Sequence, residues 1–248
     1  MAWTAIMKRT MRSYGQFCPV AKAAEIFAQR WTPLIIRELL LGNHRFNELA
    51  HGLPKIPHSV LSQRLRSLER QGVLERRWDK KGRLEYWLTP AGDELFDIVW
   101  KLGEWGQRWA NRDIGLDDLD PELLMWDMRR RIHLDRLPQT RVVAQFNFTG
   151  FRHETIWLVL ERQEVSVCFH DPGLPVDLLI TTDTLALHRV WMGRLPILEA
   201  IRKGLIAIDG PTHLARAFPR WLALSTFASI PPAAEGSGPV VPLEAPLH

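Results

Sequence analysis

Five polar side chains between residues 59 and 70 have the types and spacing to hydrogen-bond the bases and phosphates of a DNA duplex. They are Ser59, Ser62, Gln63, Arg66 and Arg70. In the major groove, glutamine can pair with adenine and arginine with guanine, and each pairing contributes about 1–3 kcal/mol of discrimination between bases. We predict that the first four lie near base edges and that Arg70 reaches phosphate. The alternative is an ordinary solvated helix face.

Three leucines on the same segment predict the helix that positions these side chains. Leu61, Leu65 and Leu68 recur at i, i+4 and i+7, which places them on one face of an α-helix. At about 100° per residue, the polar stripe falls on the opposite face. The helix is expected from about Pro57 to Gly72, since a glycine is typical of a helix C-terminus.

A short hairpin is predicted directly after this helix. Two β-prone runs, residues 73–78 and 83–88, are joined by a lysine-rich turn that ends at Gly82, where a positive φ is expected. Cations at its tip would contact phosphate or the minor groove and make the affinity salt-dependent. The alternative is that the tip is charged only for solubility. The candidate contacts are Lys80, Lys81, Arg83 and, more weakly, Arg45.

Further helices are expected on both sides of these elements. Three short ones should span residues 20–29, 34–41 and 46–51, with Thr32 as the cap of the second. Thr89 and Pro90 should start a long helix over about residues 91–111. An apolar stripe on that helix predicts a contact with a second copy of the chain, with packing on the second half of the chain as the alternative. The stripe consists of Leu95, Ile98, Val99, Leu102, Trp105 and Trp109.

The charge of the chain is unevenly distributed. Residues 1–112 carry a net charge of +8 and residues 113–248 carry −4, which together give the formal +4 of the 248-residue chain. A basic half beside an acidic half indicates that only the first half meets a polyanion. We expect double-stranded DNA to be that partner.

Six ordered motifs over about residues 15–112 resemble the HxlR-type family of bacterial winged helix-turn-helix transcription regulators. The resemblance implies a DNA-binding fold in which the polar helix enters the major groove and the hairpin is the wing. The sequence departs from the family pattern at Pro57-His58. The matching motifs are Cys18-Pro19-Val20, Arg30-Trp31-Thr32, Arg37-Glu38-Leu39-Leu40, Arg45-Phe46-Asn47-Glu48-Leu49, Val60-Leu61-Ser62-Gln63-Arg64-Leu65 and Tyr86-Trp87-Leu88-Thr89-Pro90-Ala91-Gly92.

The second half of the chain alternates strands and helices and is similar, more loosely, to sterol-carrier-protein-like domains. The similarity lies in the order of Asp177-Leu178, the Trp191–Arg194 segment, the glycines after Arg202 and the Ala217–Trp221 segment. It implies a sheet with helices around an apolar pocket and a small lipophilic effector, without making that effector a sterol. For any single lining residue, plain core is the alternative. The pocket candidates are Phe146, Phe148, Trp157, Leu179, Trp191 and Leu198.

Cys18 is a candidate redox-sensing residue. It directly precedes Pro19 at a helix start, beside Lys22, and such surroundings raise the thiolate content of a cysteine. Some HxlR-type regulators sense oxidants through a cysteine in this region. The alternative is a small packed residue without a redox role. Cys168, in an expected strand, is read as core.

No residue pattern indicates catalysis, a metal site or a cofactor. His153-Glu154 and His170-Asp171 are accompanied by no nucleophile, phosphate loop or metal-ligand spacing, so we expect a protein that is not an enzyme. No apolar run is long enough for a membrane span, and no signal-peptide core follows the N-terminal charges, so we expect a cytoplasmic protein.

The predicted fold class is α+β. Residues 1–112 form a winged helix-turn-helix domain, 113–137 a linker with a helix from Pro121 to Leu137, 138–230 a sterol-carrier-like domain and 231–248 a disordered tail. The predicted function is a sequence-specific transcription regulator that binds DNA as a homodimer and is modulated by a small apolar ligand or by oxidation. The alternative is a carrier of lipophilic ligands that binds nucleic acid only non-specifically.

Overall fold

A computed structural model of the chain describes residues 13–110, 114–150 and 153–233. Its first part, the N-terminal domain (13–110), contains four helices, a two-stranded antiparallel hairpin and a further helical segment. The four helices are α1 (Pro19–Phe27), α2 (Thr32–Leu40), α3 (Phe46–Gly52) and α4 (His58–Arg70), and the hairpin strands are β1 (Leu74–Trp78) and β2 (Leu84–Leu88). The first twelve residues, and residues 234–248 of the tail predicted over 231–248, lie outside the described residues.

The leucine stripe of α4 anchors the core of this domain. Leu61, Leu65 and Leu68 are each at most 1% exposed and pack with Ile35 and Leu49, among others. The helix ends before Gly72, whose φ of 72° is in the left-handed region that glycine adopts without strain. The amphipathic pattern therefore fixes both the position of α4 and the face that it leaves outside.

The start of α2 differs from the expectation. Thr32 is not its cap: it is the first helical residue and is buried, while Trp31 precedes the helix with a φ of 76°. The cap position needs a backbone conformation outside the helix, and Trp31 supplies it in place of the threonine.

The long helix predicted after the hairpin is interrupted. It consists of α5 (Pro90–Asp93), α6 (Phe96–Trp105) and a π-helical turn (Gly106–Ala110). Thr89 does cap its start, because its hydroxyl accepts a hydrogen bond from the amide of Gly92 at 3.2 Å. The expected end at Asn111 lies outside the described residues.

Residues 121–233, the C-terminal domain, form a five-stranded sheet with helices. The sheet order is β5-β4-β3-β6-β7, in which β3 and β6 are parallel and the other neighbours antiparallel. The strands are β3 (Val142–Thr149), β4 (Glu154–Leu160), β5 (Val165–Cys168), β6 (Leu178–Asp183) and β7 (Ile206–Asp209), and the helices are α7 (Pro121–Met128), α8 (Thr184–Trp191), α9 (Ile197–Arg202) and α10 (Thr212–Ala217).

The helix predicted to run to Leu137 ends at Met128. Two 3₁₀ turns follow, Arg129–Arg131 and Leu134–Arg136, and Ile132 between them pairs with Leu222 as an isolated bridge. The amide of His133 donates to the carbonyl of Trp221 at 2.8 Å, so tertiary pairing replaces the helical hydrogen bonds here.

The two domains have separate hydrophobic cores. The C-terminal core is built on the alternating inward residues of β3, β4 and β6, as the period-2 pattern predicts. None of the helices in the described ranges is long and apolar enough to cross a membrane.

Candidate nucleic-acid interface

The outer face of α4 carries the predicted base contacts. Ser59, Gln63, Arg66 and Arg70 are exposed on it, and Ser62 is half-buried at its edge. Within the described part of the chain, Arg66 and Arg70 form no hydrogen bond or salt bridge. Their guanidinium groups therefore remain available to bind an external anion or base. The opposite face of α4 is buried in the core of the domain.

The tip of the β1–β2 hairpin presents two exposed lysines, Lys80 and Lys81. Its turn is shaped by Asp79, whose Oδ1 accepts hydrogen bonds from the amides of Lys81 and Arg83, each at 2.8 Å. Arg83 also donates from Nε to Asp79 Oδ2 at 2.7 Å. Of the three predicted wing cations, Arg83 thus holds the turn, and the two lysines remain at its tip.

The hydrogen bonds to Asp79 lower the pKa of its carboxyl to about 2. The backbone amide of Arg83 contributes most, followed by the Arg83 side chain and the amide of Lys81. The carboxylate therefore stays ionised throughout the neutral range and keeps the turn in shape.

Arg45, the weaker predicted phosphate contact, forms ion pairs within the N-terminal domain. Its Nη2 lies 3.2 Å from Glu85 and 3.4 Å from Asp79, and its Nη1 lies 3.8 Å from Glu48. Three carboxylates thus surround one guanidinium, which ties the start of α3 to the hairpin. His44 reinforces the same junction by stacking on Trp87, with ring centroids 3.7 Å apart.

Cys18 occupies the position before the first residue of α1, as predicted, and is half-buried. The cation proposed to activate it has another partner: Lys22 Nζ lies 3.2 Å from Glu25 Oε1. Cys168 lies in β5 and is half-buried, outside the hydrophobic core in which it was predicted, and burial raises the pKa of its thiol.

The six predicted pocket residues do not surround one pocket. Phe146 and Phe148 belong to the packed core at 0% and 2% exposure, and Leu198 is 63% exposed. Trp157 and Leu179 are half-buried on the strands β4 and β6. Of the six, only Trp191 lines the large cavity of the described structure, which lies between the two domains and has a volume of about 650 Å³.

A buried carboxylate joins the two domains beside this cavity. Glu38 on α2 is 0% exposed, and its Oε1 accepts from Arg37 Nη2 at 2.6 Å. Its Oε2 accepts from Asn43 at 2.5 Å and from Arg130 Nη2, in the C-terminal domain, at 2.8 Å. A buried carboxylate is stable only when its charge is paired and its lone pairs are satisfied, and here both domains supply the donors.

Aromatic contacts extend this interdomain junction. His51 of α3 lies against Trp126 of α7 and Phe169, with ring centroids 5.0 and 5.5 Å away. The guanidinium of Arg129 lies 3.7 Å from the centre of the Trp126 ring. The interdomain roles of Glu38 and Trp126 were not predicted from the sequence. The one available signal was the Arg129-Arg130-Arg131 run, because buried arginines need acidic or aromatic partners.

An apolar stripe on α6 remains at the surface. Ile98, Leu102 and Trp105 recur at i, i+4 and i+7 and are 47%, 49% and 59% exposed. Leu95 and Val99 instead pack on the N-terminal core, and Trp100 contacts Phe227 of the C-terminal domain at 5.0 Å between ring centroids. The predicted stripe thus divides between an exposed face and intramolecular packing.

Comparison with known families matches residues 26–114 to the HxlR-like helix-turn-helix. Two Bacillus subtilis (strain 168) proteins, YvaP and YdeP, are similar to the chain and are named uncharacterized HTH-type transcriptional regulators. YvaP is 38% identical over 100 residues, which cover 39% of this chain and 93% of YvaP. YdeP is 34% identical over 97 residues, which cover 38% and 76%.

Among solved structures, the oxidized form of the redox regulator HypR is 32% identical. The match covers 39% of this chain and 100% of that chain, with a TM-score of 0.36.

Proposed function

The chain belongs to the HxlR-like helix-turn-helix family and is a DNA-binding transcription regulator, and on that basis we propose that it reads a two-fold operator as a homodimer. The observation that carries this proposal is α4, which is docked by three buried leucines and presents an exposed Ser-Gln-Arg-Arg face. An amphipathic helix of this kind can enter the major groove and contact base edges.

The contacts divide into two classes. Ser59, Ser62, Gln63 and Arg66 on α4 are the proposed base contacts, and Arg70 is a proposed phosphate contact. Lys80 and Lys81 at the wing tip would bind phosphate and contribute affinity without sequence preference. Arg45 is left out of the set because its guanidinium already pairs with carboxylates of α3 and the wing.

The exposed face of α6 supports the homodimer. A stripe formed by Ile98, Leu102 and Trp105 is apolar enough to serve as the centre of an interface. Phe17 and Val20, at the start of α1, are also strongly exposed apolar residues. A symmetric dimer would place two α4 helices about 34 Å apart, which is one turn of DNA.

The C-terminal domain is proposed to be a sterol-carrier-like module that senses a small lipophilic molecule. The five-stranded sheet covered by α8 and the cavity beside that helix support this role. The sensor and the alternative lipophilic carrier differ in one respect, because only the sensor requires that ligand binding change the affinity for a defined DNA sequence.

The proposed function is tested by selection of the full-length protein on a random DNA pool, sequenced after binding at low and at physiological salt. A two-fold motif enriched at both salts is the expected result. Arg66→Ala should weaken binding to that motif by about 1–3 kcal/mol and relax the preference at one base position. Arg216→Ala, an exposed cation of α10, is the matched control. An unchanged preference in Arg66→Ala would refute the placement of α4, and enrichment of no motif would refute sequence-specific regulation.

A further inference from the structure

We propose that the cavity between the two domains is the effector site and that it takes a neutral lipophilic molecule with one hydrogen-bonding group. This inference rests on the proposed regulator function, since an effector needs a DNA-binding activity to control. The sequence predicted an effector pocket inside the C-terminal domain, whereas the proposed site lies between the two domains.

The cavity has the size and walls of a small-molecule site. Its volume of about 650 Å³ lies inside the range of roughly 300–1,000 Å³ that is usual for ligand pockets. Its walls come from α2, α6 and the π-helical turn on one side, and from α7, α8 and residues 225–227 on the other. The apolar part of the lining includes Leu40, Trp100, Leu119, Trp191, Met192 and Phe227.

The charged lining is balanced, which favours a neutral ligand over an ionic one. Three arginines and three aspartates line the cavity, so that their formal charges cancel. His188 also lines it, and burial together with Arg194 and Arg189 lowers the pKa of its ring, so that it adds no positive charge at neutral pH. An organic ion would therefore gain no net attraction from these walls. The charged lining residues are Arg37, Arg130, Arg131, Asp118, Asp120 and Asp127.

Asp127 supplies the hydrogen-bonding position, because its side chain lines the cavity and is 31% exposed. Oδ1 of Asp127 and Nε of Arg130 are both inaccessible to solvent, and neither has a hydrogen-bond partner within the described ranges. Asp127 Oδ1 lies 3.5 Å from Arg130 Nη1, an ion-pair contact without a hydrogen bond. Because Oδ1 is closed off from the cavity, a ligand group would donate to Oδ2 of the same carboxylate, on the part of Asp127 that remains exposed.

Ligand binding at this site would affect the DNA-binding helices through the contacts of Glu38. Arg37 and Arg130 both line the cavity and both bind Glu38, one from each domain. Glu38 lies on α2, whose Ile35 and Leu39 pack in the same core as the leucines of α4. A ligand that binds one arrangement of the two domains better than another would bias the spacing of the two α4 helices in a dimer.

Gly106 offers a way to fill the cavity without disturbing its walls. It lines the cavity, its φ of −58° and ψ of −44° are helical, and a Cβ added there would meet nothing within 4 Å. Gly106→Leu therefore adds a bulky side chain at a cavity-lining position at no backbone cost, whereas Gly106→Ala gives the same helix-favouring change with little added volume. Leu41→Trp is a second blocking variant, because Leu41 lines the cavity and is 44% exposed.

The test is a fluorescence titration of full-length protein with N-phenyl-1-naphthylamine, a neutral aromatic amine with one N–H donor. The wild type should bind it saturably, at one site per chain. Gly106→Leu should weaken binding at least about tenfold, Leu41→Trp should weaken it in the same direction, and Gly106→Ala should change it by less than about twofold. Equal binding by the wild type and both blocking variants would mean that the probe occupies another apolar surface, such as the stripe on α6, and would overturn the proposal. The same is true if the wild type does not bind.

The selection on random DNA, run on the same protein preparations, separates this result from the proposed function. A wild type that enriches a DNA motif but binds no probe would refute the effector site alone. Probe binding that Gly106→Leu abolishes, in a protein that enriches no motif, would support the site and refute the regulator function. A motif whose affinity changes at least about twofold when the probe is added, in the wild type and not in Gly106→Leu, supports both.

Discussion

Replacing Arg130 by methionine tests the link between the two domains. Arg130 belongs to the C-terminal domain, and its Nη2 donates to Glu38 Oε2 of the N-terminal domain at 2.8 Å. Methionine keeps much of the aliphatic length of the side chain, so that Arg130→Met removes the charge and the donors while it disturbs the packing little. Glu38 keeps its bonds to Arg37 and Asn43.

The expected loss follows from what remains around Glu38. Removing one partner of a buried ion pair with no other donor costs roughly 3–5 kcal/mol. Here one charge-assisted hydrogen bond is lost and the others stay, and a hydrogen bond to a charged group contributes about 1.5–3 kcal/mol. We therefore expect Arg130→Met to lower the free energy of unfolding by about 2 kcal/mol, a shift of roughly 4–8 °C in Tm for a chain of this size.

Urea unfolding followed by tryptophan fluorescence measures this loss, with coincident circular dichroism transitions as the check on two-state behaviour. Arg216→Met, on the exposed surface of α10, should change stability by less than about 0.5 kcal/mol. A double-mutant cycle with Glu38→Gln should give a coupling energy of at least about 1 kcal/mol. A stability of Arg130→Met within about 0.5 kcal/mol of the wild type, or an additive cycle, would refute the link.

Three further outcomes are expected from the structure. Lys81→Ala should weaken binding to all DNA sequences alike and reduce the slope of log affinity against log salt by about 1; an unchanged slope in fluorescence anisotropy would remove the wing tip from the contact. The amides of Lys81 and Arg83 should titrate in NMR with the Asp79 carboxyl, at a midpoint of about 2. Because this folded pKa is lowered, the turn is stabilised by the carboxylate above the ordinary value of 3.8 and loses that stabilisation as the pH falls through about 2; a midpoint near 3.8 would contradict the hydrogen bonds. Leu102→Glu should convert a dimer to a monomer in sedimentation velocity at concentrations where the wild type is dimeric, since it charges the centre of the α6 stripe; an unchanged dimer would place the interface elsewhere.

Elements with a strong period were predictable from the sequence. The leucine spacing of α4 and the alternating residues of β3 predicted both elements to within a few residues, because one buried face fixes the side-chain period of a helix or strand. The long helix after Thr89 was predicted as one piece and is three, since its apolar residues continue through the π-helical turn without marking it.

The cavity could not be predicted in the same way. The side-chain period predicts that Phe146 points inward, but it does not show whether the interior there is packed or hollow. In the structure, Phe146 lies in the packed core. The walls of the actual cavity come from Leu40 and Trp191, which are distant in sequence and meet only when the domains dock. The ion pairs of Arg45 could not be predicted for the same reason, because its partners Asp79 and Glu85 lie 34 and 40 residues further along the chain.

The position of Glu38 between the two domains also has a consequence for folding during translation. The ribosome releases the N-terminal domain first, and domains generally begin to fold as they emerge. At that stage the carboxylate has Arg37 and Asn43 as partners, while Arg130 follows 92 residues later. In the nascent N-terminal domain, Glu38 is therefore paired with Arg37 but lacks one donor at Oε2, and it gains its full set of hydrogen bonds only when the C-terminal domain has been synthesised as far as Arg130.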